Sequence, residues 1–429
     1  MPYVVTQPCC ADASCVTACP VNCIHPAPGE PGFATTEMVF IDAATCVGCG
    51  ACVTACPVGA IVPDHALRPD QRPFVELAAE YYDVFPHADR TPVALVPPPR
   101  RPVARDLRVA VVGAGPAGLH TADELLRHPG VGVDVYDRRR EPHGLARYGV
   151  APDHVDTRGI ARLFEVIAAQ PGFRYRLGVE VRSRADLPEA YDAVVWATGA
   201  SADRALGVPG DEGVLGATTL ARWANGDPEV ALALPAVERA VVVGAGNVAL
   251  DTARLLVGPR VGATEVSVLG RRGVEHAALT TPELVGLAGL EGVDVLLRSA
   301  PPEGRGVRER LLTDLAARRP TGRPRIVLRF DAPVTAVLPS GVRLADGEEL
   351  AADLVVGAVG HEHQPVAHER GRLRPGEYVA GWAKRGPRGF LGTTRADAQE
   401  SVATLLDDVE AGRLSPSRPH RPRASASSS

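Results

Sequence analysis

Lysine is almost absent from this chain: of its 46 lysine and arginine residues, only Lys384 is a lysine. We treat that skew as compositional and attach no function to it. Aromatic residues make up 4% of the chain, and no apolar run reaches the ~18 residues a bilayer-spanning helix needs. The opening MPYVVTQPCC lacks the charged region and apolar stretch of a secretory leader, so a cytoplasmic location is expected. A net charge of −5 without a long basic block argues against nucleic acid as the main partner. With 45% apolar and 23% charged residues the chain is globular in composition, and 429 residues allow two to four domains at roughly 150 each.

Cysteine is missing from most of the sequence. All nine cysteines lie between Cys9 and Cys56. A secreted disulfide scaffold would spread them through a short chain, so that class is excluded. Any chemistry that needs a redox-active cysteine pair after Cys56, such as that of thioredoxin or glutathione reductase, is excluded as well.

The cysteines that are present carry a pattern. Cys46, Cys49, Cys52 and Cys56 follow a C-x2-C-x2-C-x3-C-P spacing, and Cys9, Asp12, Cys15 and Cys19 repeat it with Asp in the second place. Two such runs mark a two-cluster bacterial ferredoxin, in which the last cysteine of each run binds the other cluster. Crossing gives one complete thiolate set, Cys46, Cys49, Cys52 and Cys19, suited to a [4Fe-4S] cluster. The other set is Cys9, Cys15 and Cys56 with Asp12, which suits a [3Fe-4S] cluster, or a second [4Fe-4S] with one iron on Asp12. Cys10 and Cys23 are left over; a zinc-ribbon alternative fits two Cys-Pro-terminated runs poorly.

Composition then changes along the chain. Residues 1–66 hold five acidic residues and no Arg, and PFVELAAEYYDVF (73–85) suits a helix or a surface-hugging extension. The stretch 91–106 has five prolines in sixteen residues and reads as a semi-rigid linker or as a coil packed on a neighbouring domain. From Leu107, Val-rich strand-like runs alternate with helical stretches, the sign of parallel α/β sheets, and the pattern starts twice. The Ser/Pro/Arg-rich end, 415–429, is expected to be disordered.

Each start carries a dinucleotide fingerprint. In the first, Gly113 permits a tight turn, Gly115 lets a pyrophosphate approach the backbone and Gly118 lets helix pack on strand, with Asp137 placed for ribose hydroxyls. The second is Gly244-Ala-Gly246-Asn247-Val248-Ala249, and its next strand ends at Arg271 and Arg272, where guanidiniums can hold a 2′-phosphate. One acidic and one basic site imply FAD in the first and NADPH in the second. His361, His363 and His368 match no standard zinc spacing and read as a polar loop. Lys384 and Arg385 could present charge to an acidic ferredoxin surface.

The segments GLARYGVAPDH (144–154), GNVALDTARLL (246–256), GRRGVEHAALTTPEL (270–284) and GWAKRGPRGFLGT (381–393) resemble ferredoxin–NADP reductases of the adrenodoxin-reductase type. With its seven-iron-like module the whole chain is similar to fused ferredoxin/ferredoxin–NADP reductases. The resemblance implies an α+β ferredoxin-like iron–sulfur module followed by an α/β two-dinucleotide-binding, Rossmann-like flavoprotein. Its expected domains are a ferredoxin (1–90), the linker, an FAD domain (107–203 and 361–414) and an NADP domain (204–360).

Carried over position by position, the resemblance implies FAD contacts from Ala117, Asp137, Leu145, Val181, Trp382 and the Gly389, Phe390 and Leu391 backbone. It implies NADP contacts from Asn247, Val248, Arg271, Arg272, Glu283 and Gly389. His154 is the expected catalytic histidine, but the carboxylate that pairs with it in relatives is replaced by Gly286. The expected activity is NADPH-dependent ferredoxin reduction, with ferredoxin or a downstream acceptor such as a monooxygenase as partner. A subunit of the glutamate-synthase small-subunit type and an iron–sulfur redox sensor are the alternatives.

Overall fold

The computed structural model describes residues 1–86, 103, 106–200, 202–364 and 366–414. The expected disordered end, 415–429, and nearly all of the proline-rich linker lie outside the described residues. The chain divides into two compact units. One comprises Met1–Pro97, Leu145–Ile160 and Ser201–Glu362; the other comprises Pro98–Gly144, Ala161–Ala200 and His363–Ser429.

The first unit opens with the cysteine-rich module. Tyr3–Val5 pairs antiparallel with Ile61–Pro63, and Ile24–His25 pairs with Phe40–Ile41. Each half of this repeat carries one short helix, Ser14–Ala18 or Ala51–Ala55. PFVELAAEYYDVF forms the helix Pro73–Val84, with Phe74 buried. Tyr82 Oη lies 3.0 Å from the carbonyl oxygen of Cys23 and 2.8 Å from that of Phe40, tying this helix to the module.

In the same unit a six-stranded parallel sheet runs in the order Asp294–Leu297, Arg325–Arg329, Glu265–Leu269, Arg239–Val243, Leu354–Gly357, Leu215–Gly216. Val-rich strands covered on both faces explain its near-continuous apolar runs. The helix Asn247–Val257 follows Arg239–Val243, and its Leu250, Ala253 and Leu256 are fully buried in the core. A small antiparallel sheet of Val334–Leu338, Gly341–Leu344 and Glu349–Ala351 is inserted before the strand Leu354–Gly357.

The second unit is built on another six-stranded sheet: Arg372–Arg374, Glu377–Val379, Ala193–Trp196, Leu107–Val112, Val131–Asp137, Phe173–Leu177. All neighbours are parallel except the first pair. The helices Pro116–Leu126 and Leu391–Glu410 pack against each other. The segment Leu145–Ile160 falls in the first unit, although the sequence reading put it with the FAD domain. Hydrogen bonds hold it there: Asn225 Nδ2 donates to the carbonyl oxygens of Tyr148 and Val150, both at 2.8 Å.

Candidate functional site

The two cysteine runs share one backbone path. Their helices begin after left-handed residues, Ala13 at φ 63° and Gly50 at φ 77°, and end at Cys19 and Cys56 with ψ of 117° and 115°. Two residues before those starts, Ala11 (φ 52°) matches Gly48 (φ 70°). This register aligns Cys9 with Cys46 and Asp12 with Cys49. Cys10 therefore falls outside the repeat, as the spacing required.

Cys46, Cys49 and Cys52 line a cavity together with Cys19 from the other run. Cys23 lines it too, with its Sγ 3.4 Å from Cys19 Sγ. In the second set, Cys9 and Cys15 each feel the charges of Asp12 and Cys56. Burial pushes the Cys9 thiol up to about 12 and raises Cys15 as well. Buried, mutually repelling sulfur donors like Cys9 and Cys15 ionise only against a metal charge, so the second set fits an iron–sulfur cluster, and the first fits one by bringing four thiols around a single cavity.

The FAD fingerprint shows three distinct glycine roles. A Cβ on Gly113 (φ 114°) would lie 2.3 Å from the Ala197 carbonyl oxygen, and one on Gly118 would lie 1.8 Å from that of Gly113. A Cβ on Gly115 would meet nothing within 4 Å, which leaves the helix N-terminus open to a phosphate. Asp137 accepts hydrogen bonds from the Ala114 and Arg139 N–H groups at 2.8 and 2.9 Å, so its carboxylate is aimed at the fingerprint loop. Val181 is buried beside Val112 and Tyr136.

Trp382 opens the short helix Trp382–Arg385 directly after Gly381, whose position comes close to Ala117 of the fingerprint helix. Gly389 and Phe390 lead into the helix Leu391–Glu410, whose positive dipole end suits an anionic group. Leu145 starts the short helix Leu145–Tyr148 in the other unit.

Lys384 does not present charge. It is buried, its Nζ 2.7 Å from Asp397 and 2.6 Å from Glu400, because an isolated ammonium in this core would be costly. Arg385 donates to Thr394 Oγ1 at 2.7 Å.

The second fingerprint has the same construction. Gly244 (φ 140°) would bring a Cβ within 2.3 Å of the Ala358 carbonyl oxygen, whereas Gly246 meets only Ala278, at 3.8 Å. Val248 is half exposed, and Arg271 and Arg272 are exposed at the end of the strand Glu265–Leu269. Among the described residues Arg272 donates a long bond, 3.5 Å, to the His276 carbonyl oxygen, leaving most of its guanidinium for a phosphate. His361 is bound 2.9 Å from Thr218 Oγ1, a polar-loop contact.

Glu283 and His154 sit in a polar network that the sequence did not reveal. Arg254, almost fully buried, donates to Glu283 at 3.0 Å and to Asp153 at 2.9 Å, and also contacts Asp251 and His154. His154 Nε2 lies 3.5 Å from Asp251 Oδ1. Burial and the Arg254 charge lower the His154 pKa, so the ring is neutral near pH 7. Burial and neighbouring Glu283 raise Asp251. Where relatives are expected to carry a carboxylate, a Cβ on Gly286 would lie 2.3 Å from Gln7 of the ferredoxin module. Gln7 Nε2 lies 3.4 Å from Glu283 Oε2. Gln7 belongs to no motif, and Arg254, though inside the segment 246–256, carried no role in it, so only the fold brings the two to this site.

Comparison with known proteins agrees with this geometry. The pyridine nucleotide-disulphide oxidoreductase family model matches residues 107–377, and a 4Fe-4S binding domain model matches 39–62. The matched reductase region holds no cysteine, so a redox disulfide has no part in it. A probable ferredoxin/ferredoxin–NADP reductase of Mycobacterium bovis is 41% identical over 96% of this chain and 85% of its own. The mitochondrial NADPH:adrenodoxin oxidoreductase of Homo sapiens is 34% identical over 73% of this chain and 80% of its own. The structure of Mycobacterium tuberculosis FprA in complex with NADPH gives a TM-score of 0.66 at 33% identity, covering 72% of this chain and 86% of that one. Among the described residues no helix is long and apolar enough to cross a membrane. The chain thus belongs to the ferredoxin/ferredoxin–NADP reductases, a ferredoxin module joined to a two-dinucleotide-binding flavoprotein.

Proposed function

We propose that this protein is an NADPH-dependent ferredoxin reductase that carries its own ferredoxin as an electron relay to an external redox acceptor. The observation that carries the reading is the conjunction, in one compact unit, of two crossed sulfur-donor sets and a fingerprint followed by two exposed arginines. FAD, when bound, takes a hydride from NADPH and passes its electrons on singly. Cys46, Cys49, Cys52 and Cys19 would hold a [4Fe-4S] cluster. Cys9, Cys15, Cys56 and Asp12 would hold a [3Fe-4S] cluster, or a [4Fe-4S] with one iron on the carboxylate. Arg271 and Arg272 would select the 2′-phosphate, while the amides around Gly115 and Gly246 hold the two pyrophosphates.

His154 is kept neutral by its surroundings, so it can hydrogen-bond at the site without adding charge. A soluble monooxygenase is one class of acceptor that needs electrons one at a time. The test is an anaerobic NADPH titration followed by visible absorbance. Bleaching of the flavin bands, then of the broad iron–sulfur absorption, is the expected result. Bleaching of the flavin alone would exclude the fused ferredoxin as the relay, and no bleaching would overturn the reductase reading.

A further inference from the structure

Resting on the NADP reading of the second fingerprint, we propose that the ferredoxin module closes the dinucleotide site of its own chain. Glu37 would be the latch on Asn247 that NADP(H) must displace. The Asn247 amide is engaged at both its oxygen and its nitrogen at the fingerprint mouth. Its Oδ1 accepts the Thr280 N–H at 2.9 Å, and its Nδ2 donates to Glu37 Oε1 at 2.9 Å. Asn247 is the first residue of the helix Asn247–Val257, where the incoming pyrophosphate needs the backbone and the amide. Glu37 therefore lies where the ligand must pass.

A second contact lies on the same side. Gln7 fills the space above Gly286 and reaches Glu283, another expected NADP contact. Two loops of the module thus touch two parts of one nucleotide site.

The latch is weak by construction. Glu37 Oε2 is buried and has no well-formed hydrogen bond among the described residues, with only the Thr280 side chain facing it besides Asn247. Leaving such an oxygen poorly paired opposes docking, so the closed arrangement gives way when a ligand offers better contacts. Elsewhere the module makes separate contacts: Glu80 accepts the Val307 N–H at 2.8 Å, and Glu76 pairs with Arg310. Displacing Glu37 and Gln7 therefore needs a local movement of the loops that carry them, with the Pro73–Val84 helix still attached.

The experiment is calorimetric titration of oxidised, cluster- and flavin-loaded protein with NADP+, comparing the wild type with Glu37→Ala and with the Arg271→Ala/Arg272→Ala double variant. Glu37→Ala should bind NADP+ roughly 2- to 10-fold more tightly, the range expected for removing one competing hydrogen bond. If the arginine variant binds less tightly but Glu37→Ala binds like the wild type, the latch is overturned and the NADP site stands. If the arginine variant binds like the wild type, the reading of the site itself fails. Hydrogen exchange of the unaltered protein gives a readout that needs no variant. NADP+ should speed exchange of the backbone at 33–39, and slowed or unchanged exchange there would overturn the proposal.

Discussion

At the scale of single residues, the proposed ligand Asp12 would decide the character of one cluster. It stands in register with Cys49, and Ser14 Oγ donates to its carboxylate. A hard oxygen donor binds iron less firmly than a thiolate. Asp12→Cys should therefore convert the second cluster to a stable [4Fe-4S] form. The oxidised protein should then lose the [3Fe-4S] electron paramagnetic resonance signal, and a persistent signal would refute the ligand assignment. In the proposed reading, Arg271 and Arg272 would set nucleotide choice in the same local way. Each charged hydrogen bond to the 2′-phosphate is worth about 1.5–3 kcal/mol. Replacing both by Ala should raise KM for NADPH far more than for NADH, and an unchanged preference in steady-state kinetics would sink the assignment.

Arg254 shows the opposite dependence, of residues on one cation. Asp153 and Glu283 both accept its hydrogen bonds, and Asp251 pairs with it. Removing one partner of a buried pair leaves the other charge uncompensated, which costs about 3–5 kcal/mol. Arg254→Met should accordingly lower the thermal unfolding midpoint by several degrees. An unchanged midpoint in a thermal melt would mean that the acids are neutral in the folded protein.

At the scale of elements, the cysteine repeat shows what a sequence states and what it conceals. The strand starting at Leu107, the strand starting at Arg239 and their glycine turns are legible because valine runs and G-x-G spacing are local signals. The αL positions are half legible. Gly48 and Gly50 announce them in one run, while the other run places Ala11 and Ala13 in the same conformation. An alanine there pays roughly 1–2 kcal/mol for its Cβ against the adjacent carbonyl. Ala13→Gly should relieve part of that strain and raise the melting temperature of the cluster-loaded protein, and a fall would show that the methyl group's packing outweighs the strain. Fully hidden were the contacts made at a distance: Asn225 binding Tyr148 and Val150, Lys384 meeting Asp397, and Gln7 reaching Glu283. No spacing rule links residues so far apart in sequence, and the segment Leu145–Ile160 joined a different unit for that reason.

At the scale of the whole molecule, fusion brings the ferredoxin's acids against the nucleotide site, and protons should report it. Glu37 is faced by Asn247 and Thr280, and by the acids Glu283 and Asp251. Burial foremost, with Glu283 adding to it, pushes its carboxyl from the ordinary 4.5 up to about 8. A carboxyl whose pKa is raised on docking takes up a proton as it docks. Docking is then fully favoured below the ordinary value and is lost as pH rises through about 8. NADP+ competes with docking, so its affinity should strengthen as pH rises from about 4.5 to about 8 and level off above; the part between about 7 and 8 lies clear of a phosphate monoester's own titration near 6. Glu37→Gln imitates the protonated side chain and keeps an acceptor for Asn247. Its NADP+ affinity should stay weak and nearly flat over the same range. A wild-type affinity that is also flat, measured by the same titration at each pH, would show that Glu37 leaves the site without exchanging a proton.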